Sequence, residues 1–416
     1  MTVWQDLIGQ QRAVAVLSAA AEAAAVLVAR RDEAPDGGSQ GEAAGPAQHD
    51  PTAAMTHAWL LTGPPGSGRS NAARAFAAAL QCRQSPPGCG VCNACRTTLV
   101  SSHPDVTVVA TEHVYLRVED VRPLVQLAQQ APASGRWRVI VIEDADRLGD
   151  TAGNVLLKAI EEPPPRTVWL LCAPSPDDVP VTIRSRCRAV GLRMPPPDDV
   201  AALLVRRHGV DPAIAAYAAR AAGSHVGIAR RLATSADARS LRREILRLPT
   251  RLGSVAAAVT AAGDLVETSA EEAKAVTAER DAAEREELLH SMGVEPGANP
   301  PPALRAQLRV LTENQRRRAT RAQRDALDRA LLDLASFYRD VLLLQLGAPV
   351  GLTNEDLRSD LESVAAGSPP EATLHRLEAI GLARARIGAN IQPLLAVEAL
   401  MVTLRSGLAD RSAAPR

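Results

Sequence analysis

Four cysteines, Cys82, Cys89, Cys92 and Cys95, fall at C-x6-C-x2-C-x2-C in a loop that also holds Pro86, Pro87, Gly88 and Gly90. Thiolates at this spacing suit a closed, tetrahedral structural Zn²⁺ site, which pins a loop and is chemically inert. Two disulfides are the rival use of the same residues, and a cytosolic redox environment disfavours them. Cys172 lies in an apolar run and reads as a core residue.

A second set of residues could handle phosphate. Gly63-Pro64-Pro65-Gly66-Ser67-Gly68-Arg69-Ser70 follows an apolar run and opens a helical pattern. In that context a glycine-rich loop wraps a phosphate chain with backbone N–H groups at a helix N-terminus. Ser70 stands where a hydroxyl would hold Mg²⁺. Position 69, however, is Arg where the motif needs Lys, and a wide planar guanidinium does not replace a compact ammonium between β- and γ-phosphates. Glu143 and Asp144, after Val139-Ile140-Val141-Ile142, depart in the same direction. An active NTPase places Asp first, for the metal, and Glu second, to orient water. The swap moves each carboxylate by about one methylene, and catalysis is sensitive to displacements of about 1 Å. Glu143, Asp144 and Asp146 could also simply cap a strand end. The two departures together predict a weak or absent ATPase; whether ATP still binds is open.

The elements that must position these groups can be read from periodicity. Trp59 to Thr62, Val106 to Ala110, Arg138 to Ile142 and Val168 to Ala173 predict buried strands. Helical patterns cover about Gln10 to Arg30, Arg69 to Gln81, Val118 to Gln130 and Gly149 to Glu161. Strands alternating with helices predict an α/β fold with a mostly parallel sheet covered on both faces. Residues 31–54, rich in Gly, Ala, Pro, Asp and Gln without apolar periodicity, predict a disordered surface insertion. After Met194 the strands stop, and Gly209, Asp211-Pro212 and Gly223-Ser224 punctuate three short helices. The expected organisation is an α/β domain over 1–193, with the cysteine loop at 82–95, a small three-helix domain over 194–236 and an all-helical domain over 237–416. In the last, Glu267 to Leu289 is strongly charged and expected to be solvated, and Glu295 to Pro302 is a break.

Composition bounds the function. Hydrophobic residues make up 46% and charged residues 23%, ordinary for a globular protein of 416 residues with two or three domains. No uninterrupted apolar run reaches about 18 residues, and the N-terminus lacks the basic and apolar regions of a signal peptide. A cytoplasmic protein with no membrane partner is expected. Formal charge is +0 and aromatics are 2%, which argues against an electrostatic trap for nucleic acid or a base-stacking platform. Arg316, Arg317, Arg318, Arg321 and Arg324 form the best basic patch, and Arg317, Arg321 and Arg324 share a helical face that could meet phosphates. A charge run of this kind is more often a solvated face. Lysines number only two, Lys158 and Lys274, so drift towards Arg is one origin of Arg69. Drift does not explain how hydrolysis would survive the exchange.

The order of motifs resembles bacterial DNA polymerase III clamp-loader subunits. It runs Asp6-Leu7-Ile8-Gly9-Gln10, His57-Ala58, the phosphate loop, the four cysteines, Asn154 to Pro164 and Ser185-Arg186-Cys187. The resemblance covers about the first 190 residues; the helical remainder matches in layout only. It implies an AAA+ nucleotide-binding-like domain, a lid and a helical collar. It also implies that Arg186 is an arginine finger reaching ATP on a neighbouring subunit, where a guanidinium offsets charge developing on the γ-phosphate. A surface arginine pairing locally, as assumed for Arg184 and Arg188, is the alternative.

Further departures select the type. Cys172-Ala173-Pro174-Ser175 lacks the Thr or Asn expected of a first sensor, and Gly223-Ser224-His225-Val226 lacks the Arg of a second. With Arg69 and the Glu143/Asp144 swap, the pattern resembles the non-hydrolysing delta-prime type and not the gamma/tau motor. The implied partners are gamma/tau motor subunits and the delta subunit in a hetero-pentamer, with the sliding clamp and primer-template DNA reached through the complex. The competing reading is an ATP-hydrolysing motor or related AAA+ remodeller using Arg69 and Asp144.

Overall fold

The structure is a computed structural model and describes residues 2–32, 52–110, 116–291 and 302–409. Most of the expected insertion and most of the expected break therefore lie outside the described residues. The borders of the insertion differ from expectation: the first helix, α1, spans Gln11–Asp32, and residues 52–54 form a turn closed by Met55 N–H donating to the Thr52 carbonyl at 3.0 Å.

The chain divides into two units, Met1–Thr234 and Ser235–Arg416. In the first unit, β1 (Ala58–Thr62) is followed by α2 (Arg69–Gln81), α3 (Asn93–Leu99), β2 (Val106–Val109), α4 (Val118–Ala128) and β3 (Arg138–Ile142). Next come α5 (Asp150–Glu161), β4 (Thr167–Ala173), the short α6 (Val181–Arg184) and β5 (Arg188–Gly191). The sheet is parallel throughout, in the order β2-β3-β4-β1-β5.

Because side chains alternate along a strand, each central strand serves two cores. Trp59, Leu61, Val139, Val141, Leu170 and Cys172 face α1 and α2, whereas Leu60, Ile140, Ile142, Trp169 and Leu171 face α4 and α5. Such two-sided burial explains the continuous apolar runs. Residues Gln11–Arg30 of α1 have a mean hydropathy of 1.8 and match a membrane span in length and composition. Leu17, Ala20, Ala21, Ala24 and Val28 are nevertheless buried in the core under the sheet, as in a core helix of a globular domain.

The first unit ends in α7 (Pro197–His208), α8 (Pro212–Ala221) and α9 (Val226–Thr234). Gly209, with φ 62°, closes α7 in the left-handed conformation, and the Asp211 carboxylate caps α8 by accepting from Ala213 N–H at 2.8 Å.

The second unit is all helix: α10 (Ala236–Arg251), α11 (Val255–Ser291), α12 (Pro302–Gln345), α13 (Arg358–Gly367), α14 (Pro370–Gly388) and α15 (Pro393–Ala409). Leu331, Leu334, Phe337, Val341, Leu361, Val397 and Leu404 form its core. The charged stretch of α11 keeps Glu267, Glu271, Lys274, Arg280, Arg285 and Glu286 exposed, as expected, and buries the uncharged Ser269, Ala273 and Thr277.

Candidate functional site

The parallel order puts the phosphate loop at the carboxyl end of β1 and Glu143-Asp144 at the carboxyl end of β3, with β4 between them. Ligand crevices of open α/β sheets form at such strand ends. Gly66 and Gly68 both hold φ at 91°, a left-handed conformation that side chains oppose. Gly63 N–H donates to the Pro174 carbonyl at 3.1 Å, tying the loop to the end of β4. Gln10, 4% exposed, donates from Nε2 to the Ser67 carbonyl at 3.1 Å and the Arg193 carbonyl at 2.6 Å. The Ser67 hydroxyl is buried without a hydrogen-bond partner among the described residues.

The charged groups of this crevice are engaged within the chain. Arg69 Nη1 donates to the carbonyl of Gly63, the first residue of the loop. On the next turn of α2, Arg74 Nη2 donates to Glu143 Oε1 at 2.7 Å. Asp144, two residues past β3, caps a 3-10 turn, Ala145–Arg147, accepting at its carbonyl from Arg147 N–H at 3.1 Å. Burial and the neighbouring Asp144 charge raise the carboxyl of Asp146 above its ordinary range. In the first-sensor segment the Ser175 hydroxyl accepts from Asp177 N–H at 3.3 Å, so this group caps its own turn. Ser70 is half-buried on the first turn of α2.

From the second-sensor segment comes a contact the sequence reading missed. The His225 imidazole packs on Gly66 so closely that a Cβ there would meet the ring at 2.6 Å. His225 Nδ1 accepts from Ile228 N–H at 3.4 Å, which fixes the ring at the start of α9. Arg74 was missed as well, since one arginine on an alanine-rich helix gives no pattern that predicts its partner.

The four sulfurs of the cysteine loop converge. All lie within 4.8 Å of one another, and Cys82 and Cys92 are 3.9 Å apart. Tetrahedral Zn–S bonds of about 2.3 Å require sulfurs about 3.8 Å apart, so a small contraction suffices. All six cysteines are free thiols. Burial raises the Cys89 thiol, but N–H donors from Cys92 and Val91 outweigh it and bring it down to about 7. Burial pushes Cys95 well above the ordinary thiol range. Four close cysteines of this kind can hold one metal ion. The loop contains the start of α3, which the sequence reading left unstructured, and the Cys92 sulfur caps it by accepting from Cys95 N–H at 3.5 Å. Cys172 and Cys187 are both pushed up to about 12 by burial.

Arg186 follows α6, with its side chain 40% exposed. Its Nε lies 2.5 Å from Glu161 Oε1, and its Nη1 donates to the Thr182 carbonyl at 2.8 Å. Arg184 pairs with Asp177, and Arg188 donates to the Ala54 carbonyl and lies 5.1 Å from the centre of the Trp59 ring. The basic patch of α12 is largely drawn into pairings: Arg318 with Asp281 at 2.7 Å and Glu284 at 3.0 Å, Arg317 with Glu313 at 3.1 Å, and Arg324 with Asn390.

Residues 48–196 match the model of the family described as DNA polymerase III, delta subunit. The chain is 38% identical over 147 residues to DNA polymerase III subunit delta' of Pseudomonas aeruginosa, covering 34% of this chain and 43% of that protein. It is 35% identical over 155 residues to subunit gamma/tau of Mycobacterium tuberculosis, covering 36% of this chain and 27% of that one. Over this stretch the chain is similar to clamp-loader subunits of DNA polymerase III.

A solved gamma subunit-related protein of Thermotoga maritima is similar at 15% identity with a TM-score of 0.35, covering 84% of this chain and 94% of that one. The match to the curated clamp-loader relatives spans less than half of their length.

Proposed function

We propose that this chain is a delta-prime-type, non-hydrolysing subunit of the DNA polymerase III clamp loader that supplies Arg186 to ATP held by a neighbouring motor subunit. Its partners are then gamma/tau motor subunits and a delta subunit in a hetero-pentamer. The assembly works in the cytoplasm, loading the sliding clamp onto primer-template DNA. A structural Zn²⁺ on Cys82, Cys89, Cys92 and Cys95 holds the loop between α2 and α3. The three domains are an AAA+ domain over 1–193, a lid over 194–236 and a collar over 237–416.

One observation carries this reading: the phosphate crevice is closed on itself while Arg186 stays at the surface. Arg69 is bound to the Gly63 carbonyl, and Arg74 neutralises Glu143. A nucleotide and Mg²⁺ would have to displace both contacts before Gly63, Gly66, Gly68 and Ser70 could act on phosphate or Glu143 and Asp144 on the metal. Arg186, by contrast, has a guanidinium exposed enough to meet a second chain, where it would stabilise transition-state charge.

The motor reading has its own support, since the 35% identity to a gamma/tau subunit extends over 155 residues and the delta' similarity over 147. ATPase measurement on the purified chain separates the two. Turnover near 1 s⁻¹ or above belongs to a motor, and background turnover alone, with activity restored by motor subunits, belongs to the delta-prime type.

A further inference from the structure

The last turn of α5 carries a charge in the wrong place. Glu161 ends the helix and Glu162 caps it, although acidic groups oppose the helix dipole at a C-terminus. Pro163 and Pro164 end the helix there, so the two carboxylates are held at a fixed point and cannot move down the helix. The Glu161 carboxylate is turned towards Arg186, with Oε1 2.5 Å from Nε.

The guanidinium of Arg186 is thereby held at two of its three nitrogens. Nε faces Glu161, and Nη1 donates to the Thr182 carbonyl at 2.8 Å and the Ser185 hydroxyl at 3.3 Å. Only Nη2 has no protein partner among the described residues. A free arginine on a protein surface samples many rotamers, and ordering it costs conformational entropy whenever it binds. Here that ordering is in place before any neighbour arrives, and Nη2 remains available for a phosphate oxygen.

We propose that Glu161 is a positioning residue that preorients Arg186 for the nucleotide of the adjacent subunit. The proposal rests on the finger reading of Arg186. Glu161 touches neither nucleotide nor metal; it acts through the geometry of the arginine, as preorganised donors do when they meet charge that develops only in the transition state. Its loss should therefore lower kcat and leave the KM for ATP unchanged, because the motor subunit's own pocket binds the ground state. Glu161 is 41% exposed and contributes little to folding.

The test uses the complex reconstituted from the full chain with gamma/tau-type motor and delta subunits. Arg186→Ala, Glu161→Gln, Glu161→Asp and Glu161→Ala/Arg186→Ala are compared in steady-state ATPase assays, with complex mass as the control for assembly. Glu161→Gln is expected to lower kcat by about three- to fivefold, the upper range for an exposed charged pair, with KM within twofold of wild type. Glu161→Asp should recover part of the loss, and Glu161→Ala should add nothing once Arg186 is gone. Wild-type kcat in Glu161→Gln, alongside a clear loss in Arg186→Ala, overturns the positioning role and spares the finger. Full activity in Arg186→Ala overturns both.

Discussion

Arg74, one turn into the helix after the phosphate loop, binds Glu143 at 2.7 Å across the crevice between the ends of β1 and β3. The Arg74 side chain is 31% exposed and that of Glu143 16%. The pair is thus partly desolvated, and removing one partner leaves the other's charge uncompensated. Together with the contact of Arg69 on the Gly63 carbonyl, it engages both arginines of the crevice within the chain.

Restoring the pocket should restore binding. ATP·Mg²⁺ is expected to leave the melting temperature of the unmutated chain unchanged. Arg69→Lys combined with Arg74→Ala should gain a nucleotide-dependent stabilisation, about 2.7 kcal/mol once ATP reaches 100 times its Kd. Differential scanning fluorimetry reads both, and a clear shift in the unmutated chain contradicts the closed crevice. Arg69→Ala should leave the ATPase of the assembled complex unchanged.

Arg186→Ala should reduce the ATPase of the complex by at least about tenfold, a modest share of the effects seen for arginine fingers. The lost exposed pair with Glu161 is worth about 0–1 kcal/mol, so assembly should persist in native mass measurements. Activity equal to wild type removes the finger role.

One zinc per chain is expected by elemental analysis of protein purified without chelator. Cys95→Ser should abolish that stoichiometry and lower the melting temperature, because Cys95 and Cys82 are both buried in the core formed with α1 and α2. Chelation should have the same effect on the unmutated chain. A metal-free protein with an unchanged melting temperature leaves the cysteines without this structural role.

Asp105 gives a pH-dependent test of the α/β unit. Burial alone would raise its carboxyl, but N–H donors of Ala133, Ser134 and Gly135 and the Ser134 hydroxyl outweigh burial and hold it below the usual carboxylate range. Arg138 Nη1 lies 3.1 Å away. A lowered native pKa adds stability that is fully present above the unfolded carboxylate range and is lost as pH falls through the native value. Asp105→Asn should cost about 2–4 kcal/mol at neutral pH, and its denaturant midpoint should decline less steeply with acid than that of wild type. Parallel acid profiles for the two proteins refute this assignment.

Legibility in the sequence followed the kind of physics involved. β1, β3 and β4 announce themselves as apolar runs because both faces of the sheet are covered. β5, at the sheet edge, does not: only Val190 of Arg188–Gly191 is buried, and its sequence carries no apolar run. α3 was hidden for a related reason, since its first residues belong to the cysteine pattern and its helical register begins inside that pattern.

The sequence by itself determined the phosphate-loop frame, the departures at Arg69, Glu143 and Asp144, the four-cysteine set and the Ser185-Arg186-Cys187 motif. All of these depend on residue type at short spacing, which the chain carries without folding. Only the tertiary structure decided that Arg74 answers Glu143, that the His225 ring covers Gly66 and that Glu161 holds Arg186. Charge pairing and close packing depend on distance through space, and that distance is set by how helices and sheet pack, which no local pattern encodes.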